Sequence, residues 1–220
     1  MSRLFGAEHR ALQDAFDTRR VADKIEAIAV TTELSESDQA SIASQDMFLL
    51  ATVDENGRPT VSYKGGDPGF VKAVDAKTIA FPLYDGNGMF YSAGNVVDNA
   101  NVGLLFINFE NPLRMRIQGT ATASVDDPLM SEFHEALMVV RVTVEEVWPN
   151  CNRYIHRRQR TEASRYVPRE GTKTPLAGWK RVDIVQEDLP AKDVGRAEEE
   201  GGLITIEEWF EKAATGADDA

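Results

Sequence analysis

Cysteine is nearly absent from this 220-residue sequence, and the single one is Cys151. One thiol cannot form an intramolecular disulfide, and a zinc cage built from cysteines is excluded with it. Histidine is scarce as well. His9, His134 and His156 stand too far apart for the short spacings of metal-ligand motifs. No apolar run approaches the length of a membrane span, and the opening MSRLFGAEHRALQD lacks the apolar stretch of a signal peptide. A cytoplasmic protein without a membrane partner is the simplest expectation.

Positive charge is short too: the formal net charge is −12. From Glu187 onward there are eleven acids against Lys192, Arg196 and Lys212, a balance of −8, which leaves −4 for the rest of the chain. The end of the chain therefore reads as a solvated acidic appendage, and nucleic acid is not expected as a partner.

What is present divides into three stretches: a helical segment over 1–45 that packs on a barrel, a β-rich domain over 46–186, and an acidic tail over 187–220 with a short helix. In the first, Leu12, Phe16, Ala22, Ile25 and Ile28 recur at helical spacing, which predicts one or two amphipathic helices. A further short helix is expected to start near Ser35 or Ser37, because Ser-x-x-(Gln/Glu)-type starts cap orphan N–H groups. From residue 47 the texture changes. MFLLATV and RPTVSY flank Asp54-Glu55-Asn56-Gly57, a strong hairpin turn. Two short strands are expected around Asp75, a buried strand in VGLLFINF, and alternating strands in LRMRIQGTATAS and LMVVRVTVEEVW. A helix over Pro128–Ala136 and an edge strand at VDIV (182–185) complete the expectation. Short strands joined by Gly- and Asn-containing turns predict a mainly β fold, an antiparallel barrel or sandwich with flanking helices.

Several stretches could carry chemistry. FPLYDGNGMFYSAGN places Asp85, Gly86, Asn87 and Gly88 in a row before Ser92 and Asn95. Glycines let backbone N–H groups approach a ligand, and a helix over 93–100 that begins after Ser92 would offer its N-terminus to a phosphate. An ordinary turn and N-cap explain the same residues. Arg114 and Arg116 lie two apart in one strand, so both could face a single phosphate or carboxylate, or simply solvent. Ser62-Tyr63-Lys64 ends a strand before Gly65-Gly66, where Lys64 is a ligand or a surface charge. In WPNCNRYIHRRQR, Asn150, Arg153, Tyr154 and His156 surround Cys151, which reads either as an inert small residue or as a thiol activated by positive charge.

Together these segments resemble the pyridoxamine 5′-phosphate oxidase-like, FMN-binding split-barrel family over roughly residues 40–160. FLLATVDENGRPTVSYKGG is similar to the family's first hairpin, TIAFPLYDGNG to the following strand and turn, NVVDNANVGLLF to its helix and buried strand, and LRMRIQGTA to the strand that meets the flavin. Pro149-Asn150-Cys151-Asn152-Arg153-Tyr154-Ile155 is similar to a segment of its uncharacterised bacterial-type members. The resemblance implies an antiparallel split barrel of Greek-key type and a homodimer with FMN at the interface. It also implies an oxidoreductase that acts on a small molecule. The cofactor neighbours would be Ser62, Tyr63, Lys64, Asp85, Gly86, Asn87, Gly88, Ser92, Asn95, Arg114 and Arg116, with Asn150, Arg153, Tyr154 and His156 on the substrate side. Asn87-Gly88-Met89 stands where pyridoxamine phosphate oxidases carry a basic pair, which implies a different substrate. A flavin carrier or sensor without turnover, and a deazaflavin-dependent reductase, are the alternative readings.

Overall fold

The computed structural model describes residues 2–220. The chain divides into two compact units, one ending at Thr161 and the other spanning Glu162–Ala220. Among the described residues no helix is long and apolar enough to cross a membrane.

The first unit opens with helices α1 (Ala7–Ala15), α2 (Arg19–Ala29) and α3 (Glu36–Ala43). Asp17, in the left-handed region at φ 51°, separates the first two. Ser35 is the N-cap of α3, where its hydroxyl accepts from the Asp38 N–H while the Asp38 carboxylate accepts from the Ser35 N–H. This reciprocal pair satisfies two orphan donors and fixes the start that the sequence predicts. Of the segment expected to pack on the barrel, α3 does so through the fully buried Ile42, whereas α1 and α2 bury no residue.

Seven strands follow: β1 (Met47–Val53), β2 (Pro59–Gly65), β3 (Lys72–Asp75), β4 (Thr78–Leu83), β5 (Asn101–Asn108), β6 (Leu113–Ser124) and β7 (Met138–Asn150). Helix α4 (Tyr91–Asp98) lies between β4 and β5. The strands form one antiparallel sheet in the order β2-β1-β5-β6-β7-β4-β3. It does not close, because β2 and β3 remain its two ends. It does roll up: Phe48 of β1 meets Phe81 of β4 edge-on at 4.9 Å although three strands separate them in the sheet. Phe106 and Phe70 also stack on Phe48, at 5.1 and 6.0 Å. The core inside the roll draws on alternate residues, such as Phe48 and Leu50 of β1 or Met115 and Ile117 of β6, as the period of two requires. This is a mainly β antiparallel fold, as the strand pattern predicts, and the split barrel that the family resemblance implies.

The Asp54–Gly57 turn joins β1 to β2 as expected, with Gly57 at φ 75°. Between Gln118 and Gly119 the β6–β7 register slips, so Glu145 is an extra residue on β7. Three expectations need correction. The helix over Pro128–Ala136 shrinks to a 3-10 turn at Met130–Glu132, and Glu135 at φ 54° ends any continuation. Helix α4 begins at Tyr91, with Phe90 in the left-handed region as its N-cap, so Ser92 lies inside the first turn instead of before it. The edge strand at 182–185 is a 3-10 turn over Asp183–Asp188, and only Val182 bridges to another segment, at Ile204.

The second unit also carries α5 (Arg196–Glu199) and α6 (Ile206–Thr215), the latter capped by Thr205 and Glu208. Its acids are not all solvated, in contrast to the expectation. Asp193 is buried and accepts from Lys180 Nζ at 2.7 Å, with Arg196 beside it at 3.4 Å. A buried carboxylate persists only where cations compensate its lost hydration.

Candidate functional site

Strand pairing decides which candidates can meet. Residues directly opposite in an antiparallel ladder share a face, and Lys64 and Ser62 stand opposite the core residues Phe48 and Leu50. Lys64 and Ser62 therefore face the inner side, toward α4. Tyr63 stands opposite Leu49, Leu49 opposite Leu105, Leu105 opposite Arg116 and Arg116 opposite Trp148. These five side chains make one row across the outer face.

On the inner side, three predicted residues come together. Lys64 Nζ donates to Ser92 Oγ at 3.5 Å, Ser92 Oγ to Ser62 Oγ at 3.1 Å, and Ser62 Oγ to the Leu50 carbonyl at 3.4 Å. No carboxylate pairs with Lys64 among the described residues, and burial lowers the pKa of its ammonium. One donor of three is used. The cluster lies at the first turn of α4, whose leading N–H groups have no acceptor within the helix. A half-buried cation, two hydroxyls and a helix N-terminus form a donor set suited to a phosphate or a similar anion.

Asn95, also predicted, sits one turn further along α4. It is buried, and its amide donates to Thr52 Oγ1 at 3.0 Å, which ties α4 to β1. Asp85, Gly86, Asn87 and Gly88 form the exposed turn that leads to α4, where the Asn87 carboxamide oxygen accepts from the Met89 N–H at 3.1 Å. Next to the helix an open cleft is lined by Asp54, Arg58, Tyr91 and Asp98. Asp54 accepts from the Arg58 backbone N–H and guanidinium at 2.8 Å each, and these bonds hold its carboxyl below the usual range. Sequence reasoning missed Thr52 and this cleft. The alternation of MFLLATV could have shown that Thr52 points inward with Phe48 and Leu50.

Arg114 and Arg116 are not part of the Lys64 cluster, because they project from the opposite face. Arg116 is exposed and makes no ion pair among the described residues. Arg114 Nη2 donates to the Cys151 carbonyl, while its Nε is buried without a partner. Asn150 stands opposite Arg114 in the ladder. Arg153 Nε lies 3.2 Å from Cys151 Sγ, and the Arg153 backbone and side chain lower the pKa of this exposed thiol. Tyr154 stacks under Arg153 at 5.8 Å, and His156 is exposed. Asn150 and Arg153, with Tyr154 against the Arg153 guanidinium, thus lie by Arg114 where β6 begins and β7 ends, and no contact joins His156 to them among the described residues. Among the described residues no group of three or more His, Cys, Asp or Glu side chains could hold a metal ion.

The sequence profile of the family described as pyridoxamine 5′-phosphate oxidase matches residues 34–151, more than half of the chain. The chain belongs to that family. No protein of curated function matches it. Solved structures with similarity include HupZ of Group A Streptococcus, 21% identical, covering 52% of this chain and 92% of that one at a TM-score of 0.43. HutZ, the heme storage protein of Vibrio cholerae, is 18% identical and covers 52% and 93% at 0.40. A Clostridium acetobutylicum protein related to general stress protein 26 of B. subtilis, of the pyridoxinephosphate oxidase family, is 13% identical and covers 52% and 85% at 0.38. At these values the likeness transfers neither ligand nor activity to this chain.

Proposed function

We propose that the protein binds FMN and serves as a flavin-dependent oxidoreductase for a small organic molecule, as a homodimer. The observation that carries this reading is the Lys64–Ser92–Ser62 cluster: an ammonium without a carboxylate partner among the described residues, at the start of a helix, in a chain of a family that commonly binds flavin. In this reading Lys64, Ser62, Ser92 and the first N–H groups of α4 hold the phosphate. Tyr63, the next residue on the edge strand β2, and Arg116 across the row from it provide apolar and cationic surface on the other face. Bound flavin would supply two-electron redox chemistry, and the protein would supply orientation and shielding. Members of the family are typically dimers, which agrees with a cofactor site divided between two faces of one sheet.

The test is titration of the purified protein with FMN, followed by quenching of flavin fluorescence. Lys64→Met should raise the dissociation constant by about ten- to a hundredfold, the range of a charge-assisted hydrogen bond of roughly 1.5–3 kcal/mol. Affinity in the unmodified protein should fall as pH rises through the Lys64 titration, which burial places below the ordinary lysine range, and Lys64→Met should lack that alkaline limb. Unchanged affinity in Lys64→Met would remove the phosphate assignment, and no FMN binding at all would remove the whole reading. Binding without turnover of NADH, NADPH or candidate amines would favour a carrier. Displacement of FMN by a deazaflavin in direct competition would favour the reductase alternative.

A further inference from the structure

Residues 152–160 fold back as a strap over the turn 109–112 between β5 and β6. Asn152 Nδ2 donates to the Pro112 carbonyl at 2.8 Å, the Arg158 N–H to the Phe109 carbonyl at 3.1 Å, and Arg157 Nη1 to the Glu110 carbonyl at 3.3 Å. Arg160 fastens the far end of the strap by an ion pair with Asp46 at 2.7 Å. The strap, the turn and the end of α3 border a cleft of about 560 Å³, a size within the range of small-molecule sites.

The side chains that line this cleft use only part of their hydrogen-bonding capacity. Gln45 is 6% exposed, and its amide donates to the Ser41 carbonyl and to Ser44 Oγ at 3.1 and 3.2 Å. Its carboxamide oxygen accepts nothing among the described residues. Asn108 Oδ1 accepts from the Asn111 N–H at 2.8 Å, so the Asn108 amide keeps both its donors. Neither end of the Asn111 carboxamide has a partner among the described residues, and Asn152 has only its amide engaged. A carboxamide presents donors and an acceptor in one plane, which matches hydroxyl groups, each a donor and an acceptor at once. Charge completes the pattern. No carboxylate lines the cleft, and Arg157 makes no ion pair among the described residues of a chain whose net charge is −12. Its guanidinium has donors left for an anion. Pro112 and Leu113 add a small apolar surface that suits C–H groups.

We propose that this cleft binds a sugar or polyol that carries one carboxylate or phosphate group, with Arg157 on the anion and Gln45, Asn108 and Asn111 on the hydroxyls. Carboxylate and phosphate present the same chemistry to a guanidinium, so the two are separated by experiment. The cleft shares no residue with the Lys64–Ser92–Ser62 cluster, and the proposal stands whether or not FMN binds.

The experiment is isothermal titration calorimetry of the full chain, without added flavin, against glucose 6-phosphate and gluconate. Glucose and inorganic phosphate serve as the uncharged and the hydroxyl-free references. At least one of the two hydroxylated anions should bind with a dissociation constant below about 1 mM, and each reference at least about tenfold more weakly. Which of the two binds identifies the anionic group. Arg157→Gln should raise the dissociation constant about tenfold or more, and Asn111→Ala about threefold or more. Both residues are exposed, so far-UV circular dichroism should not change in either variant. Saturating FMN should leave the probe bound. Binding of neither anion, equal affinity for a reference, unchanged affinity in either variant, or displacement by FMN overturns the proposal.

Discussion

Replacing Thr52 by Val tests how α4 is held against the sheet. The two side chains have nearly the same shape, so the packing around position 52, which is 1% exposed, is retained. What is lost is the acceptor for the Asn95 amide, which is 7% exposed and 3.0 Å away. Leaving a buried donor unsatisfied costs about 1–3 kcal/mol, and the added methyl returns about 0.8 kcal/mol when buried. The net expectation is a loss of roughly 0.2–2 kcal/mol, read as a lower urea midpoint at constant slope in circular dichroism. Asn95→Ala removes donor and acceptor together, so Thr52→Val in that background should cost clearly less than it does alone. Because Ser92 rides on the same helix, Thr52→Val should also weaken anion binding at Lys64. A Thr52→Val protein as stable as the original would refute the claim that this hydrogen bond anchors α4.

Three further outcomes follow from particular contacts. Gly119→Ala should destabilise by about 1–3 kcal/mol in the same urea assay, because the new Cβ would stand 2.1 Å from the Thr143 carbonyl oxygen, a backbone atom that cannot step aside. The Arg141 guanidinium, at 2.5 and 2.9 Å, holds the Asp127 carboxyl below its ordinary value. Its contribution is therefore complete above about pH 4 and disappears as pH falls through the lower folded value. Asp127→Asn should lower stability at neutral pH and flatten the acid limb of a stability–pH profile. Cys151 should be alkylated by iodoacetamide with a midpoint below that of free cysteine, and Arg153→Ala should move this midpoint upward; an unmoved midpoint would separate the thiol from its arginine.

Local chemistry was legible in the sequence wherever one short segment settles the matter. The Asp54–Gly57 turn, the Ser35–Asp38 capping box and the alternation around Met115 and Ile117 each depend on a few adjacent residues, and each is found as expected. Positions set by distant partners were harder to read. VDIV has strand-like residues, but no neighbouring strand pairs with it beyond the single bridge at Val182, so it turns instead. The start of α4 at Tyr91 depends on Phe90 adopting a left-handed conformation that its side chain does not advertise. The candidate site failed to converge for a similar reason. Lys64 and Arg116 are both plausible phosphate ligands in isolation, and only the ladder register, transmitted through β1 and β5, assigns them to opposite faces.

The strand order also sets the course of folding. The pairs β1·β2, β3·β4, β5·β6 and β6·β7 join neighbours in sequence, so three pieces can form by local closure. Only β1·β5 and β4·β7 must capture distant chain, each across roughly fifty residues, and the entropy of closing such loops precedes any reward from the contacts made. The rate at which this barrel assembles therefore depends mostly on two seams, where Leu50 faces Leu104 and Phe81 faces Val140. Substitutions there should slow refolding, while equally costly ones within the hairpins mainly hasten unfolding.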